Sequence, residues 1–309
     1  GTGTEAIGWN YSMLSGTGGT FKSDPYINTT YYVENPPVLP SYLTFQSDSS
    51  FTLKVNNNTK NWNGALYYST DLETWSEWDG TTISSGVNNK LYLRGTGNTV
   101  ITGNNQNYKW VLEGSNIGCT GNIESLLDWE AVESGNHPSM ASYCYAYLFY
   151  DCANLTSPPA LPATTLADYC YAGMFYGCTA LTLPPALPAT TLADFCYSAM
   201  FSGCTALTSP PALPATTLAS GCYASMFYGC AALTSAPVLP ATTLASYCYT
   251  DMFHRCTALT SPPALPATTL ANHCYTYMFA RCEALVSVPA LPATTLANQC
   301  YLYMFYECT

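Results

Sequence analysis

Fifteen cysteines and three histidines are the residues of this chain best equipped for chemistry. Thiolates could ligate zinc, pair as disulfides or attack an electrophile, and imidazoles could move protons or bind metal. Their spacing argues for none of these. Fourteen cysteines form seven pairs with seven residues between: Cys144/Cys152, Cys170/Cys178, Cys196/Cys204, Cys222/Cys230, Cys248/Cys256, Cys274/Cys282 and Cys300/Cys308. Only Cys119 stands apart. C-x7-C is not a zinc-ligand spacing. His137, His254 and His273 sit in no nucleophile or metal motif, and no G-x-S-x-G, H-E-x-x-H or glycine-rich phosphate loop occurs. Nothing marks two of the acidic residues as a glycosidase pair. No catalytic residue, metal ligand or cofactor is expected, and the chain reads as a binding protein rather than an enzyme.

The elements that must position these residues follow from a repeat. Each cysteine pair lies 26 residues after the last, and the whole unit recurs with it, as in CYAGMFYGCTALTLPPALPATTLADF from Cys170 to Phe195. A fixed period of this length marks a stacked array, because one unit cannot bury an apolar face alone. Ala180–Pro188 contains three prolines and reads as an extended edge with Leu181 and Leu187 inward. Thr191–Cys204 lacks proline, has no glycine before Gly203 and opens on a plausible N-cap, so a short helix is predicted there. Counted from the first cysteine of a unit, positions 0, 1, 4, 5 and 8 (Cys, Tyr, Met, Phe, Cys) fall within an arc of about 140° at roughly 100° per residue. They are nearly invariant, with Leu148 for Met the one exception, while the opposite arc varies. The invariant side is predicted to be core and the varied side solvent-facing. Cysteines eight apart on a helix lie about 12 Å apart, too far for a disulfide, so buried reduced thiols are expected.

The repeat resembles the BspA-like leucine-rich repeats of bacterial surface proteins. The matching residues are Met174-Phe175, Cys178, Leu181, Leu187-Pro188, Leu192 and Met200-Phe201, and the pattern covers residues 144–309. It departs from the family at Pro184 and Pro210, where an apolar strand residue is usual. The resemblance implies an exported adhesion or interaction protein of host-associated bacteria, located at the cell surface or outside the cell. Similar arrays in gut phages imply an alternative, a tail-fibre receptor-binding module carried on a virion. A third reading is a polysaccharide-binding accessory module of a larger enzyme.

The expected fold is an α/β repeat solenoid, leucine-rich-repeat-like, with a 26-residue period and one short strand plus one short helix per coil. An N-terminal all-β sandwich precedes it. Residues 1–41 read as an attachment segment, 42–110 as an immunoglobulin-like sandwich, 111–143 as linker and N-cap, and 144–309 as the repeats, the last incomplete. Strand candidates are Leu43–Val55, Ala65–Thr70 and Leu91–Gly95. Gly1–Asn10 has no signal-peptide character and Thr309 falls inside a repeat, so the sequence reads as a mature or trimmed form. Ser69–Trp75 resembles the Asp-box of β-propeller glycosidases, with Glu73 in place of its glycine, and that motif implies a stabilised hairpin turn.

Charge narrows the partner. The net charge is −11, and only Arg255 and Arg281 are basic within the repeats, so neither nucleic acid nor an anionic membrane is expected. No run of eighteen apolar residues exists to insert into a bilayer. The candidate binding surface is the varied face of the predicted helices: Tyr147, Tyr150, Tyr169, Tyr176, Phe195, Tyr228, Tyr247, His254, His273, Tyr277, Tyr303 and Tyr306. Rows of tyrosine give rigid contact area with a polar tip. The expected partner is a host matrix protein, mucin or a bacterial surface glycan. Weighed beside it, the proline-rich edge is a lesser contact face, Trp62, Trp75 and Trp78 form a possible sugar platform, and Asp251/Arg255 a weak i,i+4 pair.

Overall fold

A computed structural model describes residues 40–308 and the backbone of 22–23 and 30–31. The last two form a short antiparallel pair, β1 (Lys22–Ser23) and β2 (Thr30–Tyr31), in a separate unit spanning residues 1–39. The expected attachment segment otherwise lies outside the described residues. Residues 40–309 form the second unit.

Alternation builds two sheets at the start of that unit. In β3 (Leu43–Gln46) and β4 (Thr52–Val55), inward Leu43, Phe45, Leu53 and Val55 alternate with more exposed neighbours, as a half-buried strand requires. The larger sheet adds β5 (Ala65–Ser69), β6 (Ser76–Glu77), β8 (Lys90–Thr96), β10 (Ile117–Thr120) and β11 (Leu155–Ser157), in the order β11-β10-β3-β8-β5-β6. The smaller is β7-β4-β9, with β7 at Ile83–Ser84 and β9 at Trp110–Glu113. Trp62 and Trp78 stack at 5.1 Å, and Trp110 meets Trp78 edge-on at 5.2 Å in the core that the sheets share. Gly95 is forced: a Cβ there would collide with the Leu126 carbonyl. Residues 111–143, expected as linker and N-cap, carry the rest of β9, all of β10, a 3-10 turn at Ile123–Leu126 and α1 (Trp129–Glu133).

The α/β solenoid expected from the sequence is not formed. Among the described residues α1 is the only α-helix, and no coil contains a strand plus a helix. The predicted helices are instead ribbons of turns. Tyr145, Tyr147 and Phe149 donate their N–H to Cys170, Ala172 and Met174 of the following unit at 2.8–2.9 Å. The alternate residues Ala146, Leu148, Tyr150 and Cys152 close turns on the carbonyls three residues back at 3.0–3.3 Å. Every fourth residue is left-handed, for example Tyr143 (φ 60°), Tyr147 (61°), Asp151 (59°), Tyr169 (55°), Gly173 (58°) and Gly177 (70°).

The reason lies in spacing. Packed helices lie about 8–10 Å apart, whereas hydrogen-bonded strands lie about 4.8 Å apart. Invariant rings of successive units here stack at 5.6 Å (Phe149/Phe175) and 5.8 Å (Tyr171/Tyr197). A helix uses its N–H groups internally and would splay the units beyond ring contact; the ribbon sends alternate ones to its neighbour. Left-handed backbone at a non-glycine residue costs about 1–2 kcal/mol, which the ring ladders and inter-unit hydrogen bonds offset. Strands fail on the other edge because Pro184, Pro185 and Pro188 have no N–H to give. What remains there is sparse, such as Thr208 N–H to the Thr182 carbonyl at 3.4 Å. Leu181 and Leu187 do point inward.

Candidate functional site

The outward positions of the turn ribbon gather into two aromatic clusters. In the first, Tyr143, Tyr169 and Phe195 stack at 4.6 and 4.9 Å, and Tyr150 stacks on Tyr176 at 4.6 Å. Tyr147 meets Tyr150 edge-on at 6.0 Å and lies where a side chain at position 173 would stand, so Gly173 makes its room. Lys109 sits over the Tyr150 ring at 4.8 Å and pairs with Asp151 at 3.3 Å. In the second, Tyr247 stacks on His273 at 4.7 Å, and Tyr228, His254, Tyr277 and Tyr303 follow at 4.8, 5.9 and 5.0 Å. Tyr306 closes this group against Tyr303 at 5.6 Å. Between the clusters the same positions hold Ala199, Ser202, Gly221 and Ser225.

All twelve candidate residues thus lie on one ribbon side, divided by a floor of small residues. Most are half-buried by their own stacking, while Tyr247, Tyr303 and Tyr306 are 42%, 51% and 45% exposed. Parallel stacking in the ladders covers ring faces. Partial burial raises the Tyr150 and Tyr169 hydroxyls above their ordinary range, and a hydrogen bond with Glu307 raises that of Tyr306. The basic residues are tied down. Asp251 is bonded to His254 Nδ1 at 2.7 Å rather than to Arg255, because the helical register of an i,i+4 pair is absent. Arg255 lies over Tyr228 at 5.9 Å, and Arg281 pairs with Glu307 at 2.7 Å.

The other candidates take different roles. Trp62 and Trp78 are core, so the three-tryptophan platform is not assembled. Trp75 shares the Arg94 guanidinium with Trp129, at 4.0 and 4.2 Å, and thereby helps seat α1 on the sheet. Ser69–Trp75 forms the turn between β5 and β6: Asp71 accepts from the N–H groups of Glu73 and Thr74, each at 2.9 Å, which holds its carboxyl down at about 2.

The cysteines line the interior. The second thiol of each repeat donates to a carbonyl of the preceding unit, Cys178 to Phe149 and Cys204 to Phe175, both at 3.1 Å. In the first unit Cys152 uses the Trp110 carbonyl at 3.2 Å. Every cysteine is free and only Cys308 is not fully buried. Burial pushes Cys204 and Cys196 up to about 12, so the reactive thiolate is scarce at pH 8. Iodoacetamide labelling of the native protein followed by mass spectrometry is expected to modify Cys308 alone within minutes, and all fifteen cysteines in guanidinium. Rapid native labelling of Cys204 would contradict this burial.

Sequence reasoning missed a cleft of about 350 Å³ where Glu124 and His137 meet Thr164 and Thr165. No local spacing announces it, since its walls come from three separated segments. No protein-family model, curated protein or solved structure matches the chain. Among the described residues no helix is long and apolar enough to cross a membrane.

Proposed function

We propose that the chain is an exported bacterial surface protein that recognises a protein partner through the turn face of its repeats, without catalysis. The observation that carries this reading is the division of each unit. Cys, Tyr, Met and Phe recur inside at nearly every copy, while the outward positions differ and collect aromatics into two clusters. Half-exposed tyrosines supply rigid contact area at low entropic cost. Mutual stacking covers the ring faces that a sugar would need, which favours a host matrix protein or the protein part of mucin over a glycan. The BspA-like residues of the repeat support the surface location.

The test is biolayer interferometry of the immobilised chain against fibronectin, fibrinogen, mucin and whole gut bacteria. Two variants accompany it: Tyr147→Ser/Tyr150→Ser/Tyr176→Ser and Tyr277→Ser/Tyr303→Ser/Tyr306→Ser. Aromatic anchors typically carry about 2 kcal/mol or more each, so at least one variant is expected to weaken binding more than tenfold. Binding that ignores both variants would move the contact off the turn face. Binding restricted to particular bacterial strains would replace the adhesin with a tail-fibre module.

A further inference from the structure

We propose that the cleft between the 3-10 turn at Ile123–Leu126 and the first repeat binds one neutral, hydroxylated ligand of the size of a monosaccharide. One wall is a fixed acid and base. The Glu124 side chain is 1% exposed, and its Oε2 lies 2.7 Å from His137 Nδ1. Its backbone is pinned as well, because the Glu124 N–H donates to Asn122 Oδ1 at 2.9 Å. Burial raises the Glu124 carboxyl above its ordinary range. The arrangement leaves the second imidazole nitrogen of His137 for a ligand.

The lining also carries the hydroxyls of Ser139, Thr164 and Thr165, none of which has a side-chain hydrogen bond among the described residues. The backbone beneath them is anchored, since Thr165 bridges Thr191 and the Thr164 carbonyl accepts the Thr191 N–H at 3.3 Å. Met140 and Leu166 add an apolar surface suited to the C–H face of a sugar ring. No lysine or arginine lines the cleft and its one acid is paired with histidine, so the chemistry selects against a charged ligand. A volume of about 350 Å³ is at the small end of ligand sites, which span roughly 300–1,000 Å³.

The cleft also predicts its own stoichiometry. The Thr-Thr pair recurs in later units, as at Thr190-Thr191, Thr216-Thr217 and Thr242-Thr243, but only the first pair faces Glu124 and His137. One site per chain follows.

Saturation-transfer NMR followed by titration tests this on the full chain, with glucose, galactose, mannose, fucose and N-acetylglucosamine as probes. At least one sugar is expected to bind at a single site in the millimolar range. Thr165→Val and Ser139→Ala alter exposed side chains that make no hydrogen bond among the described residues, and together they should weaken it at least tenfold. Glu124→Gln should weaken it too, with circular dichroism confirming its fold. Absence of transfer from all five sugars, binding unchanged in Thr165→Val/Ser139→Ala, or tighter binding of galacturonate than of galactose would each overturn the proposal. The tyrosine variants of the turn face leave this cleft intact, so the two sites succeed or fail separately.

Discussion

Phe201→Ala is expected to lower the unfolding free energy by about 3–5 kcal/mol, the usual cost of truncating a buried aromatic ring. Phe201 is 0% exposed and lies between Phe175 and Phe227, at 5.7 and 5.8 Å. Its loss removes a ring from both faces at once, and the rigid ribbons on either side limit collapse into the void. Tyr176→Ala is the matched control. Tyr176 is half-buried and stacks on one neighbour, Tyr150, at 4.6 Å, so a cost of about 1 kcal/mol is expected. Guanidinium denaturation followed by tyrosine fluorescence measures both. A Phe201→Ala cost no larger than that of Tyr176→Ala would mean that the phenylalanine row is not what holds successive units together. Units of a stacked array couple chiefly to their neighbours; the Phe201 transition is therefore expected to broaden as well as shift, since mid-stack damage separates the two ends.

The inward residues were legible because burial at positions 0, 1, 4, 5 and 8 needs only a periodic face, and Cys196, Tyr197, Met200, Phe201 and Cys204 are all buried. The backbone that carries them was not. C-Y-x-x-M-F-x-x-C repeats every four residues, and over nine residues a period of four differs from the helical 3.6 by only about 80° of accumulated rotation. A helical wheel therefore accepts a pattern that a ribbon of turns produces. The distinguishing signal was present in Gly173, Gly177, Gly203, Gly221 and Gly229, which all fall at positions −1, 3 or 7, spaced four apart. Glycine inside a helix costs about 1 kcal/mol, whereas at a left-handed turn position it relieves strain. At Gly221 (φ 58°) it also makes room for the Phe195 ring.

In the first half, alternation in Trp110-Val111-Leu112-Glu113 and Ile117-Gly118-Cys119-Thr120 is as clear as in Leu43–Gln46, and it runs from the last residue of the expected sandwich into the expected linker. The varied face was legible as residues and not as geometry: sequence places tyrosines in rows, but only the unit spacing turns rows into ladders with covered faces. The Glu124/His137 cleft was out of reach, because it depends on where the chain between Gly121 and Met140 settles against Ala163–Ala167.

Trp110→Ala is expected to cost about 3 kcal/mol, at the lower end of the range for a buried aromatic, and to open the stack from one end. The ring is 0% exposed and meets Trp78, Phe149 and Phe45 at 5.2, 6.1 and 6.3 Å, joining the sheet core to the first unit. Its Nε1 is buried without an acceptor, and losing that unmet donor offsets part of the damage. The position matters more than the volume. In every later unit the ribbon carbonyls accept N–H groups from the unit before, and the first unit has no such neighbour. The loop after β8 and the start of β9 substitute for it: Ile101 N–H reaches the Cys144 carbonyl at 2.8 Å, Thr102 Oγ1 reaches the Ala146 carbonyl at 2.6 Å and Trp110 N–H reaches the Leu148 carbonyl at 2.8 Å. A buried acceptor left unmet costs about 1–3 kcal/mol, so loosening this row exposes three such groups together. Hydrogen exchange is the decisive measurement, because it reports opening segment by segment. Cys144–Cys152 should exchange at least tenfold faster in Trp110→Ala while Met252–Cys256 stays as slow as in the parent protein. Uniform acceleration across all units would show instead that the stack opens as one body, and that the sheets stabilise the whole array rather than capping its first turn.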